Sequence, residues 1–267
     1  MDLDGAFARA FADAFGGVPM RDARWLEPHA TGRLSPREAG RDAVLVVFAD
    51  TADWRGRDAD ARDMLDDAER DRAARQRQPA EREVRHLAYA LRRWLLARLL
   101  GRTPASLQLA RDALGHSRLA GGGAHASLSH AGTVVAVAAD AIAPVGIDLE
   151  PRTRAAEMAG IAHEVCDPGE LARLHADPEA LLDTWVRKEA FLKAEGVGLS
   201  RAMTGFAAPA DARLPSRSLP GRIHALRMLD PGPAWAAAIA SAPARPVRQG
   251  WLRPPHARVS GAGPPPA

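Results

Sequence analysis

The stretch Trp185–Ser200, WVRKEAFLKAEGVGLS, holds both lysines of the sequence, Lys188 and Lys193; the remaining Lys/Arg-type cations are all arginine. Where arginine is the default cation, a lysine marks a position that calls for a compact ammonium and not a planar guanidinium. The surrounding residues predict a helix: Asp177 serves as N-cap, Pro178 suits the first turn, and Gly196 is placed to end it in a left-handed conformation. At about 100° per residue, Leu181, Leu182, Trp185, Val186 and Leu192 fall on one arc, with Asp183, Thr184 and Arg187 on the other. Glu189 and Lys193 lie inside or beside the apolar arc. On a solvated surface an i,i+4 Glu/Lys pair contributes only about 0.2–0.5 kcal/mol. On a buried face the same charges require a partner, a metal or a ligand phosphate.

A second stretch, VGIDLE at Val145–Glu150, reads as a strand. Val145, Ile147 and Leu149 point one way in an extended chain, and Asp148 and Glu150 the other, with their carbons about 6–7 Å apart. Two carboxylates at i,i+2 on one strand face repel unless they are solvated or share a cation. Such hard oxygen donors suit Mg²⁺, which takes one or two carboxylates together with waters and phosphate oxygens. Pro151 ends the strand.

Composition sets the outer bounds. A chain of 267 residues, 46% hydrophobic and 26% charged, has the make-up of a soluble globular protein with one large or two small domains. The single cysteine, Cys166, excludes an internal disulfide, lacks any metal-ligand spacing and fits a structural role in a reducing compartment. No segment is long and apolar enough to span a bilayer, and Asp2 and Asp4 stand where a signal peptide is basic, so a cytoplasmic location is expected. A net charge of +3 and a pI near 9.7 favour an anionic partner. Aromatic residues at 5%, with one tyrosine, make a poor stacking platform for single-stranded nucleic acid.

Four segments are expected along the chain: an N-terminal extension (1–42), an N-terminal lobe (43–143), a C-terminal lobe carrying both motifs (144–241) and a disordered Pro/Gly/Arg-rich tail (242–267). In the extension, Phe7, Phe11 and Phe15 recur at i,i+4 spacing and predict a short amphipathic helix. Strands are expected at 43–49, 107–110, 133–139, around Phe206, at 222–226 and at 235–240, with 115–118 as a turn. Helices are expected at 58–78 and 80–100. The two helices carry Arg70, Arg72, Arg75, Arg77, Arg82, Arg85, Arg92 and Arg93, a density compatible with a phosphate-binding surface as well as with a solvated face.

Taken together, GIDLEP at Gly146–Pro151 and the Trp185–Ser200 stretch resemble the two signature motifs of the 4'-phosphopantetheinyl transferases, of the larger surfactin-synthetase-activating (Sfp) type. Three further segments agree in order: DDAERDRAARQR at Asp66–Arg77, SLSHAG at Ser127–Gly132 and CDPGELARL at Cys166–Leu174. The resemblance implies an α/β (α+β) fold built as a pseudo-twofold pair of similar lobes in one chain, acting as a monomer, with coenzyme A in the cleft between them. The implied activity is Mg²⁺-dependent transfer of the phosphopantetheine arm to a serine of an acyl or peptidyl carrier protein, converting it from apo to holo form. Adenosine 3',5'-bisphosphate is released, and the carriers served belong to fatty acid, polyketide or nonribosomal peptide assembly.

Carried over by residue, the resemblance implies that Asp148, Glu150 and Glu189 hold the metal, with Glu189 also accepting the serine proton. Lys193 would contact the pyrophosphate with Lys188 in support, Ser129 and His130 would meet the nucleotide and its phosphates, and Arg72 and Arg85 would face the 3'-phosphate. Many relatives have Gly-Lys-Pro or Gly-Arg-Pro where this chain has Gly115-His116-Ser117, which passes the adenine-side contact to His116 or Arg118. Two other readings compete: a degenerate homologue that binds coenzyme A without transfer, and an arginine-rich nucleic-acid-binding module. No Walker-type glycine loop supports a different phosphoryl or nucleotidyl transferase.

Overall fold

The computed structural model describes residues 42–112, 115, 117–197 and 201–253. The expected helix at Phe7–Phe15, the candidate residue His116, and 254–267 of the expected tail lie outside the described residues.

The strands are β1 (Val44–Asp50), β2 (Leu109–Arg111), β3 (Ser117–Leu119), β4 (His125–Ala131), β5 (Val134–Asp140), β6 (Gly146–Pro151), β7 (Arg213–Pro215), β8 (Ile223–Leu229), β9 (Trp235–Ser241) and β10 (Val247–Trp251). The helices are α1 (Asp58–Asp63), α2 (Asp67–Ala74), α3 (Pro79–Leu100), α4 (Ala155–Val165), α5 (Pro168–Leu174) and α6 (Pro178–Glu195). Two four-stranded sheets form the frame, ordered β10-β1-β5-β4 and β6-β9-β8-β7, with β2 and β3 as a separate hairpin. Every pairing is antiparallel except β1 with β10.

Alternation along the strands distributes their side chains over three cores. Leu45, Val47, Val135 and Val137 pack against α3, while Ala236, Ala238 and Ala240 pack against α4 and α6. The intervening residues, Val46, Phe48, Ala136, Ile147, Leu149 and Ile239 among them, form one core shared by the two sheets. Both sheets are therefore covered on both faces, which is why β1 and β5 read as unbroken apolar runs. This is the mixed α/β pair of lobes that the motifs imply.

The two principal helices end as their sequences predict. The Asp177 side chain accepts from Ala180 N at 3.0 Å, Pro178 opens α6, and Gly196 closes it at φ 66°. Elsewhere the structure departs from expectation. The helix expected over 58–78 is two helices, because Asp66 and Glu69 form a reciprocal capping box that starts α2 afresh. Ser117 and Arg118, expected in a turn, belong to β3, and the chain near Phe206 makes a 3-10 turn at Met203–Gly205 before β7.

The largest difference concerns the segment from 242, expected to be disordered. It carries β10, whose partner β1 lies some two hundred residues earlier in the chain. Trp251 stacks near Phe48 with ring centroids 5.6 Å apart, and Arg245 pairs with the fully buried Asp140 at 2.8 Å. The first sheet thus takes strands from both ends of the described chain. Proline, glycine and arginine content hid a strand whose stability comes from a distant partner.

Two elements approach unusually closely. A Cβ built on Gly146 would lie 1.9 Å from Ala190 O and 2.4 Å from Ala194 N, so β6 rests directly on the backbone of α6. Gly146→Ala is expected to destabilise the protein by about 3 kcal/mol, measured as a lowered Tm or loss of soluble protein. Gly160→Ala, where nothing lies within 4 Å of an added Cβ, is the control, with an unchanged or raised Tm.

Candidate active site

The Gly146 contact fixes what lies next to it. Gly146, Asp148 and Glu150 share the face of β6 that meets α6, and α6 presents Glu189 and Lys193 one turn apart on the facing side. Lys193 Nζ donates to Asp148 Oδ1 at 2.7 Å and to Ser129 Oγ at 3.1 Å. Ser129 Oγ in turn donates to the same carboxylate oxygen at 2.8 Å. The other oxygen, Asp148 Oδ2, is buried and has no hydrogen-bond partner among the described residues. Three elements, β4, β6 and α6, thus meet at one carboxylate.

Two further carboxyl groups crowd the same place. Burial, and after it the negative charge of Asp148, pushes Glu150 above the usual carboxylate range, although Arg154 pairs with it. Glu189 is pushed up in the same way by burial and then Asp148, against the opposing pull of Lys193. Arg154 also sits over the Trp185 ring, 4.8 Å from its centroid. His130 is lowered by burial first and then by Arg85 and Lys193, so its imidazole is neutral at pH 7 and lies among cations.

A cleft of about 660 Å³ opens beside this cluster, lined by Arg72, Arg85, Arg111 and Arg118 from the first lobe and by Lys193 and Arg222 from the second. Burial, and then the neighbouring Arg72, lowers Arg111 from its usual value. Guanidinium groups held this close gain from an anion between them. Not every predicted arginine serves the cleft alone. Arg93 is buried and bonded to Glu69 at 2.5 Å, and Arg92, on the cleft wall, also pairs with Glu69 at 2.5 Å.

Residues 144–231 match the family model of the 4'-phosphopantetheinyl transferase superfamily. The matched segment runs from the approach to β6 through α6 to β8, and so includes Asp148, Glu150, Glu189 and Lys193. No match is found among curated proteins. This segment is thus similar to the phosphopantetheinyl transferase superfamily domain, a likeness that supports transferase activity.

The structure brings most of the expected residues of this domain together with Ser129, His130, Arg72 and Arg85 of the first lobe. Lys188 is the exception. Its side chain is fully buried away from the cleft, its Nζ 2.5 Å from Glu170 Oε2 and donating to Val165 O at 2.8 Å and Met203 O at 2.9 Å. All three donors of the ammonium are thereby satisfied, so the expected coenzyme A contact is replaced by a structural one. One residue along the helix from Glu189 rotates the side chain by about 100°, out of the cleft and into the core. Arg111 and Arg222 were not singled out from the sequence. Each lies among many arginines, and only the tertiary fold turns them toward the cleft.

Two outcomes are expected. Lys188→Met leaves Glu170 buried without its cation and lowers stability by about 3–5 kcal/mol, read by denaturant titration. Glu189→Gln removes a charge that burial and Asp148 oppose, so the metal-free variant melts about 2 °C higher than the parent. The gain has a defined sign with pH. A carboxyl held above its unfolded value destabilises only where it is ionised, so the difference in Tm shrinks as pH falls through the raised pKa.

Proposed function

We propose that the protein is a Mg²⁺-dependent 4'-phosphopantetheinyl transferase of the surfactin-synthetase-activating type. It moves the phosphopantetheine arm of coenzyme A to a serine of an acyl or peptidyl carrier protein. The observation that carries this reading is the contact of Lys193 and Ser129 with Asp148 at the edge of an arginine-lined cleft, within and beside the matched segment. A cytoplasmic, monomeric enzyme is part of the same reading.

The donor set fits the metal. Asp148 Oδ2 is a buried carboxylate oxygen without a partner, and the raised Glu150 and Glu189 are carboxyl groups whose charge a cation would relieve. Among the described residues no group of three or more His, Cys, Asp or Glu side chains is placed to hold a metal ion by itself. A Mg²⁺ shell takes waters and phosphate oxygens besides carboxylates. Asp148, Glu150 and Glu189 would hold Mg²⁺, which when bound neutralises charge on the diphosphate.

The side chains account for the remaining needs of the reaction. The carrier serine oxygen forms a bond to the phosphorus that bears the pantetheine arm, and the bond from that phosphorus to the adenosine bisphosphate breaks. Glu189, made more basic by burial, takes the serine proton. Lys193 stabilises the charge that develops on the leaving phosphate. Arg72, Arg85 and Arg111 hold the 3'-phosphate of the nucleotide, and His130 and Ser129 position the phosphates between the two charged clusters. Arg118 stands on the cleft wall to take the adenine-side contact.

The test is to incubate the purified chain with coenzyme A, Mg²⁺ and a panel of apo carrier domains and to read the intact mass of each carrier. A gain of one phosphopantetheine on a serine, abolished by chelator, is expected. Coenzyme A binding with no gain on any carrier supports the degenerate homologue, and salt-sensitive nucleic-acid binding without coenzyme A binding supports the nucleic-acid module. Asp148→Ala and Glu189→Gln are each expected to slow transfer about 10²–10³-fold. Lys193→Arg loses most activity although charge is kept, because a planar guanidinium cannot reproduce the compact contact with Asp148 and Ser129.

A further inference from the structure

Two residues beyond Lys193, α6 ends on Glu195, a carboxylate at the end of the helix where the dipole is already negative. Its side chain is 1% exposed. A charge so placed needs strong compensation, which a turn of the second lobe supplies together with His224, whose Nε2 lies 3.2 Å from Glu195 Oε1. Glu195 Oε2 accepts from Arg217 N at 2.8 Å and Ser218 N at 3.1 Å, and Ser218 Oγ donates to the Glu195 carbonyl at 2.9 Å. Burial works against the charge, but hydrogen bonds from Ser216 and these two backbone groups hold the carboxyl below its usual range. The turn closes on itself through Leu219 N to Ser216 Oγ at 2.9 Å and Ser216 N to Arg222 O at 2.8 Å.

This turn reaches the cleft. Ser218, Leu219 and Arg222 line it, and among the described residues Arg222 and Lys193 are the cations that the second lobe contributes to the lining. His125, on the cleft wall, is lowered by burial first, raised by Asp140, and lowered again by Arg222 and Arg118. One imidazole therefore feels guanidinium groups from both lobes, and Arg222 and Arg118 line the same cleft. Glu195 itself borders the cleft, but its side chain is buried and its carboxylate is bonded to the turn, so the charge acts on the cleft through the turn.

We propose that Glu195 is a positioning residue of the coenzyme A site: it clamps the 216–222 turn to the end of α6 and so presents Arg222 to an anionic group of the nucleotide in the cleft that Arg118 also lines. The inference rests on the transferase reading above for the identity of the ligand.

The test combines coenzyme A titration calorimetry with hydrogen exchange of the ligand-free chain, for the parent, Glu195→Ala, Glu195→Gln, Arg222→Ala and the Glu195→Ala/Arg222→Ala double variant. Glu195→Ala is expected to speed exchange at 216–219 without changing it in β5, and to weaken coenzyme A binding about tenfold. Arg222→Ala weakens binding to the same extent while leaving exchange in the turn protected. The double variant binds no more weakly than Arg222→Ala alone, because Glu195 acts through that side chain. Glu195→Gln, which keeps an acceptor oxygen, restores protection and most of the affinity.

Unchanged exchange in Glu195→Ala, parent-like binding by Arg222→Ala, or additive losses in the double variant would each overturn the proposal. If Glu195→Ala does not fold, Ser218→Ala takes its place, with faster exchange in the turn expected and unchanged exchange overturning the clamp. Failure of the parent chain to bind coenzyme A overturns the transferase reading and the role given to Arg222, while the exchange data still decide whether Glu195 holds the turn.

Discussion

The backbone-to-backbone contact of β6 with α6 is the constraint on which the site depends. Gly146 has no side chain, Ala190 and Ala194 have only a methyl group, and the helix therefore settles onto the strand closer than any larger residue permits. The alanines of β9 continue the same small-residue surface under α4 and α6. At this separation the Lys193 ammonium meets Asp148 directly, and Glu189 lies near enough to feel both strand carboxylates. A bulkier seam would hold the same residues in the same order and would not bring them into contact.

The last turn of α6 and its cap organise four neighbours in four residues. Lys193 ties the helix to β6 and to β4 of the other lobe, Glu195 ties it to the 216–222 turn, and Gly196 leaves room for the Arg118 guanidinium, which a Cβ there would approach to 2.9 Å. On the opposite side Lys188 joins α5, the end of α4 and the Met203 turn around Glu170. The helix thus carries charge on two sides with different purposes. The buried Lys188 pair is fully saturated and holds the lobe together, whereas the cluster at Asp148 keeps an unpartnered oxygen and two carboxyl groups under electrostatic stress. Unrelieved polar groups of this kind cluster at functional sites.

Local residues disclosed a good part of this arrangement. The caps of α6 at Asp177 and Gly196, the alternation in Val145–Glu150 and the placement of Glu189 and Lys193 beside the apolar arc are consequences of spacing along the chain, and the structure bears them out. Spacing failed where a second, distant partner decides the outcome. Lys188 and Lys193 stand in the same motif, yet five residues of helical rotation send one into the core and the other to the cleft, and nothing local distinguishes an arc that meets another helix from one that meets a strand of carboxylates. β10 was invisible for the same reason, since it pairs with β1 at the other end of the described chain and is preceded by Arg245, whose partner Asp140 belongs to β5.

By itself the sequence determined the helix that bears the lysines, the strand that bears Asp148 and Glu150, and the chemistry those side chains can perform, because each follows from periodicity and functional group. The tertiary structure alone decided which further cations line the cleft. Arg111 and Arg222 enter it, while Arg93 is consumed by a buried carboxylate. An arginine written in the chain carries the same charge in either place, and only the packing of the two lobes determines whether that charge is neutralised by protein or left for an anion.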